Sequence, residues 1–357
     1  MKIIKVFITI VVILSVFYIS CAAEEDPDKY IKEFESIVPT EYDRIWDDTS
    51  GSLIGPDALI GELVMVFKES VGRAGSLFLI LLSGLAISAA ASYIHPSLSD
   101  SVSVGIAVIT VTACYGKITS ILMEVCSSLS VMQGFLGGFI PIGTSLLSAS
   151  GSVSTASAQA MGMNVTLSLI GWLAGPVFSL IASFGMGVAV ISSFGDDSLS
   201  SFSAGVRRFF VWVIGVSGAL IMGMMSLQSF VASARDSARM RAAKYAAGSL
   251  IPVVGNTVSG ALGTLVGGLS YAKSMIGAGG VTVLCAIVIS PLVMLLLYRL
   301  AVSSLSSLAS YLGIGRIGRI YGALSSSFDF FISVYTVAAI LCIFEVALFA
   351  LSGVQMT

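Results

Sequence analysis

The chain has 357 residues, 56% hydrophobic and 11% charged, with a formal net charge of −2 and a mean hydropathy of +0.99. Soluble domains carry about 25% charged residues, so this composition excludes a water-soluble globular enzyme. The near-neutral charge excludes a nucleic-acid-binding surface. Lipid is the solvent such a chain needs for most of its length.

The chain opens as an export signal. Lys2 and Lys5 precede the apolar run 6–19, and the small residues Ser20, Cys21, Ala22 and Ala23 precede an acidic stretch. The pattern predicts a signal peptide over 1–23. Two alternatives stay open: a lipid on Cys21, for which Tyr18 is a poor fit, or an uncleaved anchor. Each reading leaves 24–73 outside the cytoplasm. That segment holds 13 of the 20 acids and 5 of the 18 basic residues, so it reads as an acidic extracytoplasmic head. Tyr30, Ile31, Phe34 and Val38 recur at helical spacing and Pro39 stops the pattern. A second amphipathic piece, 59–67, leads to Arg73. Fifty residues are too few for an independent catalytic core, so the head is expected to be a collar packed on the bundle or on a partner.

From 74 to 357 the chain reads as a polytopic transmembrane domain. Apolar segments of about 20 residues lie near 75–94, 102–122, 126–148, 162–192, 209–228, 250–270, 276–298 and 328–352. The expected fold is therefore all-α, a bundle of about eight spans after a signal peptide, with a short helical head. Breaks are expected at Gly138-Phe-Ile-Pro141, Gly175-Pro176 and Ser290-Pro291. With the head outside, Arg235, Arg239, Arg241 and Lys244 fall on the cytoplasmic side, and so do Arg299, Arg316 and Arg319. Arg207 and Arg208 are the exception, for which local pairing with Asp196 and Asp197 would account. Gly134-x-x-x-Gly138, Gly171-x-x-x-Gly175 and Gly263-x-x-x-Gly267 allow close helix approach, read as packing within the bundle.

Few groups in this body carry chemistry. Cys114, Cys126, Cys285 and Cys342 lie in apolar runs with no CxxC, as small packed hydrophobes do. His95, beside Pro96, suits a helix end. Lys117 and Glu124 flank an expected turn between spans, at head-group level. Glu345 stands apart, about 17 residues into the last span and in its outer half, among Ile343, Phe344, Val346 and Ala347. It either lines a polar cavity or makes a buried helix contact, or it sits as an interfacial carboxylate near the outer head groups. No nucleotide loop, HExxH, GxSxG or carboxylate pair is present. No catalytic, cofactor or metal residues are therefore assigned, and an ATP-driven pump is excluded.

The most distinctive stretch is Arg241-Ala-Ala-Lys244-Tyr245-Ala-Ala-Gly248-Ser-Leu-Ile-Pro252-Val-Val-Gly255, continuing through Gly267-Gly268 to Lys273-Ser-Met-Ile-Gly277-Ala-Gly-Gly-Val281. It reads as a basic, alanine-rich helix ending at Gly248, then a glycine-rich apolar helix starting at Pro252. Its cations suit anionic lipid head groups or an acidic cytoplasmic partner.

This stretch resembles the stage III sporulation protein AE family. The resemblance makes Arg241, Lys244, Tyr245, Gly248, Pro252, Gly255 and Lys273 motif residues, structural before chemical. It implies a multi-pass protein of the outer, mother-cell-derived forespore membrane, acting in endospore development. The implied partners are other stage III A membrane proteins and a forespore membrane protein, which together build a secretion-like channel. Membrane lipids are a further expected partner. A stand-alone secondary transporter of a small solute, using the broken helices and Glu345, is the alternative.

Overall fold

The computed structural model describes residues 28–40, 42, 56–94, 99–174, 183, 187, 197–250 and 255–352. The expected signal peptide, Cys21, His95 and the Gly175-Pro176 break lie outside the described residues. Among the described residues there is no strand. The elements are α1 (Asp28–Glu35), α2 (Pro56–Ile94), α3 (Ser99–Ala149), α4 (Val153–Trp172), α5 (Asp197–Leu250), α6 (Gly255–Tyr311) and α7 (Gly315–Leu351).

Apolar residues favour these rods, and glycine ends two of them. Gly151 (φ +82°) turns α3 into α4, and Gly313 (φ +75°) turns α6 into α7; left-handed backbone there costs glycine little. At the second turn Ile314 N–H donates to the Ala309 carbonyl, 3.0 Å, and buried Ile314 seals the helix end, as in a Schellman closure. The hairpin α6–α7 is the most extensive pairing, with α2 on α6 and α3, and α5 on α4 and α7.

Five helices among the described residues are long and apolar enough to cross a membrane: Leu63–Ala91, Val108–Ala149, Gly205–Ala242, Gly267–Tyr311 and Ile317–Leu351. They are longer than the expected spans. Segments 102–122 and 126–148 form one helix, α3, and no turn separates Lys117 from Glu124. From Gly255 onward, 250–270 and 276–298 likewise merge into α6. The expected breaks at Pro141 and Pro291 are absent, because both prolines sit inside continuous helices. The physical reason is that a 20-residue hydropathy window ends wherever polar residues gather. A helix satisfies its own backbone and continues through them. The amphipathic piece 59–67 is likewise the first part of α2.

Merging α6 also changes the charge map. One unbroken helix of 57 residues, about 86 Å at 1.5 Å per residue, carries 235–244 and 299–319 to opposite ends. The two basic segments therefore lie toward opposite ends of this helix, whereas the eight-span reading placed them together.

The core is aromatic. Phe34 from α1 is fully buried and meets Phe135 and Phe139 edge-on, with centroids 6.2 and 6.3 Å apart. Phe139 in turn meets Phe349 at 5.1 Å. The helical head segment thus packs on the bundle, against α3 and α6.

Charge collects at one level. Arg73 on α2 pairs with Glu69 (2.6 Å) and with Glu124 on α3 (3.1 Å), and Arg299 on α6 pairs with Asp329 on α7. Arg207, buried on α5, donates to the Ser327 hydroxyl at 2.7 Å, so its partner is across the bundle. From Asp329 to Leu351 the 22-residue climb of α7 covers about 33 Å, close to the ~30 Å of a hydrocarbon core.

Candidate functional site

At the other end of that climb the bundle buries polar groups on α4, α5, α6 and α7. α7 presents Glu345 with no exposed side-chain surface. α4 faces it with Gln159 and Thr166, seven residues and two turns apart on one stripe. The Thr166 hydroxyl donates to Glu345 Oε1 at 3.0 Å, and Gln159 Nε2 donates to the Glu345 backbone carbonyl at 2.9 Å. Glu345 Oε2 is buried and has no hydrogen-bond partner among the described residues. Leaving a buried carboxyl oxygen unpaired costs free energy. Glu345 therefore faces the protein interior, against α4.

The ends of the helices holding this site are fastened by groups from other helices. Ser152, at the start of α4, makes no side-chain cap. Asp236 on α5 caps α4 instead. Fully buried, its carboxylate accepts from Thr155 N–H (2.8 Å), Ser154 N–H (3.2 Å) and the Thr155 hydroxyl (2.9 Å). Free N–H groups and the positive end of the helix dipole favour an anion there. Arg239 lies 3.7 Å from the same carboxylate and donates to the Ser154 hydroxyl. At the end of α7, Lys273 Nζ from α6 donates to the Ser352 carbonyl, placing a cation where the dipole is negative.

The packing around Glu345 depends on glycine. A methyl at Gly277 would stand 2.5 Å from Ala350 Cβ and 2.9 Å from its Cα, and one at Gly280 would stand 2.8 Å from Val346 Cγ1 and 3.0 Å from Phe139 Cε2. Both glycines let α6 lie against the turns of α7 that carry Glu345.

The motif residues do not converge into one cluster. Arg241 is exposed on α5 and donates to the carbonyl of Ser237 one turn back. Lys244, Tyr245 and Gly248 continue α5; Gly248 does not end the helix, which runs on to Leu250. Pro252 lies outside the described residues, and Gly255 opens α6. Lys273 approaches the Glu345 helix, at its end. Sequence reasoning missed Asp236, Gln159 and Thr166. The available signal was a lone acid between Arg235 and Arg239, which charge counting treats as noise. Among the described residues no group of three His, Cys, Asp or Glu side chains converges to hold a metal, and the four described cysteines are unbridged.

A model of the family described as "Stage III sporulation protein AE" matches residues 60–353, most of the chain and every helix but α1. The chain belongs to the stage III sporulation protein AE family. It is 25% identical over 189 residues to stage III sporulation protein AE of Bacillus subtilis (strain 168), covering 51% of this chain and 47% of that protein. The match thus spans about half the length of the curated relative. No solved structure matches the chain. Within the family match fall Glu345, Asp236 and Lys273; the head helix α1 precedes it.

Proposed function

We propose that this family member is a non-catalytic, structural and export component of a channel between mother cell and forespore, needed for endospore development. The family match over 60–353 carries the reading. Five long apolar helices support a seat in a membrane, which on this reading is the outer forespore membrane. The acidic segment 24–73 would face the space between the membranes, with a cleaved signal peptide before it and the polytopic domain from 74 onward. Other stage III A membrane proteins and a forespore membrane partner would complete the assembly. Affinity purification from sporulating cells is expected to recover those proteins, and deletion is expected to abolish heat-resistant spores. Purification of the chain alone, with normal spore counts after deletion, would contradict the proposal.

One observation favours a second reading, a secondary transporter. Among the described residues one oxygen of Glu345 is unpaired between α4 and α7, and buried carboxyls in spans recur in ion and proton pathways. Glu345→Gln retains the acceptor for Thr166 and is close to isosteric. On the transporter reading it abolishes gradient-driven uptake in reconstituted vesicles. On the channel reading the same variant folds and supports near-normal spore counts, because no ion is carried there.

A further inference from the structure

α6 runs unbroken through Pro291, and the hydrogen bonds around it give the reason. Proline has no N–H, so Pro291 leaves the carbonyl of Ile287, one helical step of four residues back, without its donor. Ile287 is 1% exposed, and a bare carbonyl at such a place costs the desolvation of an unmade hydrogen bond. Two neighbouring helices supply the donor instead. Ser128 Oγ on α3 donates to the Ile287 carbonyl at 3.3 Å. Tyr335 on α7 brings its hydroxyl to 2.7 Å from Ser128 Oγ and 3.5 Å from the same carbonyl. Two hydroxyls share two protons among these three contacts. The distances favour one order, in which Tyr335 donates to Ser128 and Ser128 donates to the carbonyl. All three residues are buried.

Pro141 on α3 frees the carbonyl of Gly137 in the same way, but Gly137 is exposed; the clasp of hydroxyls is found where the freed carbonyl is buried. The two arms of α6 are also held differently. Beyond Pro291 the arm is tied to α7 by the turn at Gly313, by the Arg299–Asp329 pair and by the Ser306 hydroxyl on the Gly318 carbonyl, 2.9 Å. Before Pro291 the arm rests on α7 through the close approaches of Gly277 to Ala350 and of Gly280 to Val346, with Lys273 on the Ser352 carbonyl. A proline is the usual place for a helix to bend, and here the fastened arm leaves the arm before it as the one that moves.

We propose that Pro291 is a hinge in α6 and that Ser128 and Tyr335 are the clasp that holds it closed. Opening of the clasp frees the arm that carries Lys273, Gly277 and Gly280 to move against the turns of α7 that carry Glu345. The device belongs to α6 and its two neighbours, so it rests on neither reading of function. Hinges of this kind absorb a backbone change at a few residues while the flanking segments stay rigid.

Thermal unfolding and hydrogen–deuterium exchange of the full-length protein in mild detergent give the test. Ser128→Ala removes the donor. Its melting temperature is expected to fall by roughly 2–4 °C. Amides in 273–290 are expected to exchange roughly 5–30-fold faster, while those in 300–311 keep the wild-type rate. Pro291→Ala gives the Ile287 carbonyl a backbone N–H again, and in that background Ser128→Ala is expected to lose most of its effect on both quantities. Pro141→Ala is the control, in which Ser128→Ala is expected to act at full size. Should Ser128→Ala misfold, Tyr335→Phe keeps the test open: it leaves Ser128 on the carbonyl and is expected to show the same pattern at smaller size. Equal losses with and without Pro291 would mean that the hydroxyls do not serve the carbonyl that proline frees. Faster exchange along the whole of α6 would mean a general loss of stability with no hinge. Either result overturns the proposal.

Discussion

Asp236 shows what a single residue contributes here and why the sequence concealed it. In the chain it is one acid among basic neighbours. In the fold it caps a helix that begins 83 residues earlier, at Val153. Asp236→Ala removes an acceptor from two backbone N–H groups and a hydroxyl, all in the interior. It is expected to destabilise the protein by about 2 kcal/mol, lowering the melting temperature in detergent by roughly 4–8 °C. Asp236→Asn keeps one acceptor oxygen and is expected to lie between wild type and alanine. An alanine variant that melts with the wild type would show that α4 needs no cap from α5. Glu345 was legible as an oddity, since a carboxylate among Ile343, Phe344 and Val346 stands out in any hydropathy profile. Its partners were not, because Gln159 and Thr166 belong to a distant helix and polar side chains of that size are common in spans.

Elements were legible by type and less so by extent. Apolar periodicity identified the helical body, and the spacing of Tyr30 and Phe34 identified α1, which stops at Glu35, so that Val38, though buried, lies beyond it. Boundaries failed where polarity was read as a turn, at 122–126 and 270–276, and where proline was read as a break. Glycine spacing was only a partial guide. Gly138 meets Ile37 of the head segment and Gly171 meets Gln133, whereas Gly134 and Gly267 face open space. Gly277 and Gly280, which sit in no GxxxG pair, make the closest approach to α7. Gly277→Ala is expected to cost about 1–3 kcal/mol, since the Ala350 backbone cannot yield. Gly267→Ala is expected to be neutral or to add up to about 1 kcal/mol of helix propensity. Parallel thermal unfolding of the two variants checks this, and equal melting points would contradict the packing described for α6 and α7.

For the molecule as a whole, composition alone settled the class of solvent and fold, and the motif around Arg241–Gly255 identified the family. Sidedness was out of reach of hydropathy. The positive-inside rule needs the number of crossings, and that number changes when two windows become one rod. With α6 unbroken, Arg235, Arg239 and Arg241 stand near Lys273 and the end of α7, while Arg299 stands at the charged belt and Gly313 beyond it. A basic segment therefore lies toward each end of the α5–α6 pair.

That arrangement is tested most directly by single-cysteine variants at Ala238 and Tyr311, both exposed and at opposite ends of the α5–α6 pair. They would be labelled with a membrane-impermeant thiol reagent before and after the membrane is opened. One of the two positions is expected to react from outside in intact protoplasts and the other only after lysis. Reaction of both from the same side would show that α6 is interrupted, restoring two separate spans and contradicting the continuous bundle on which the site at Glu345 is built.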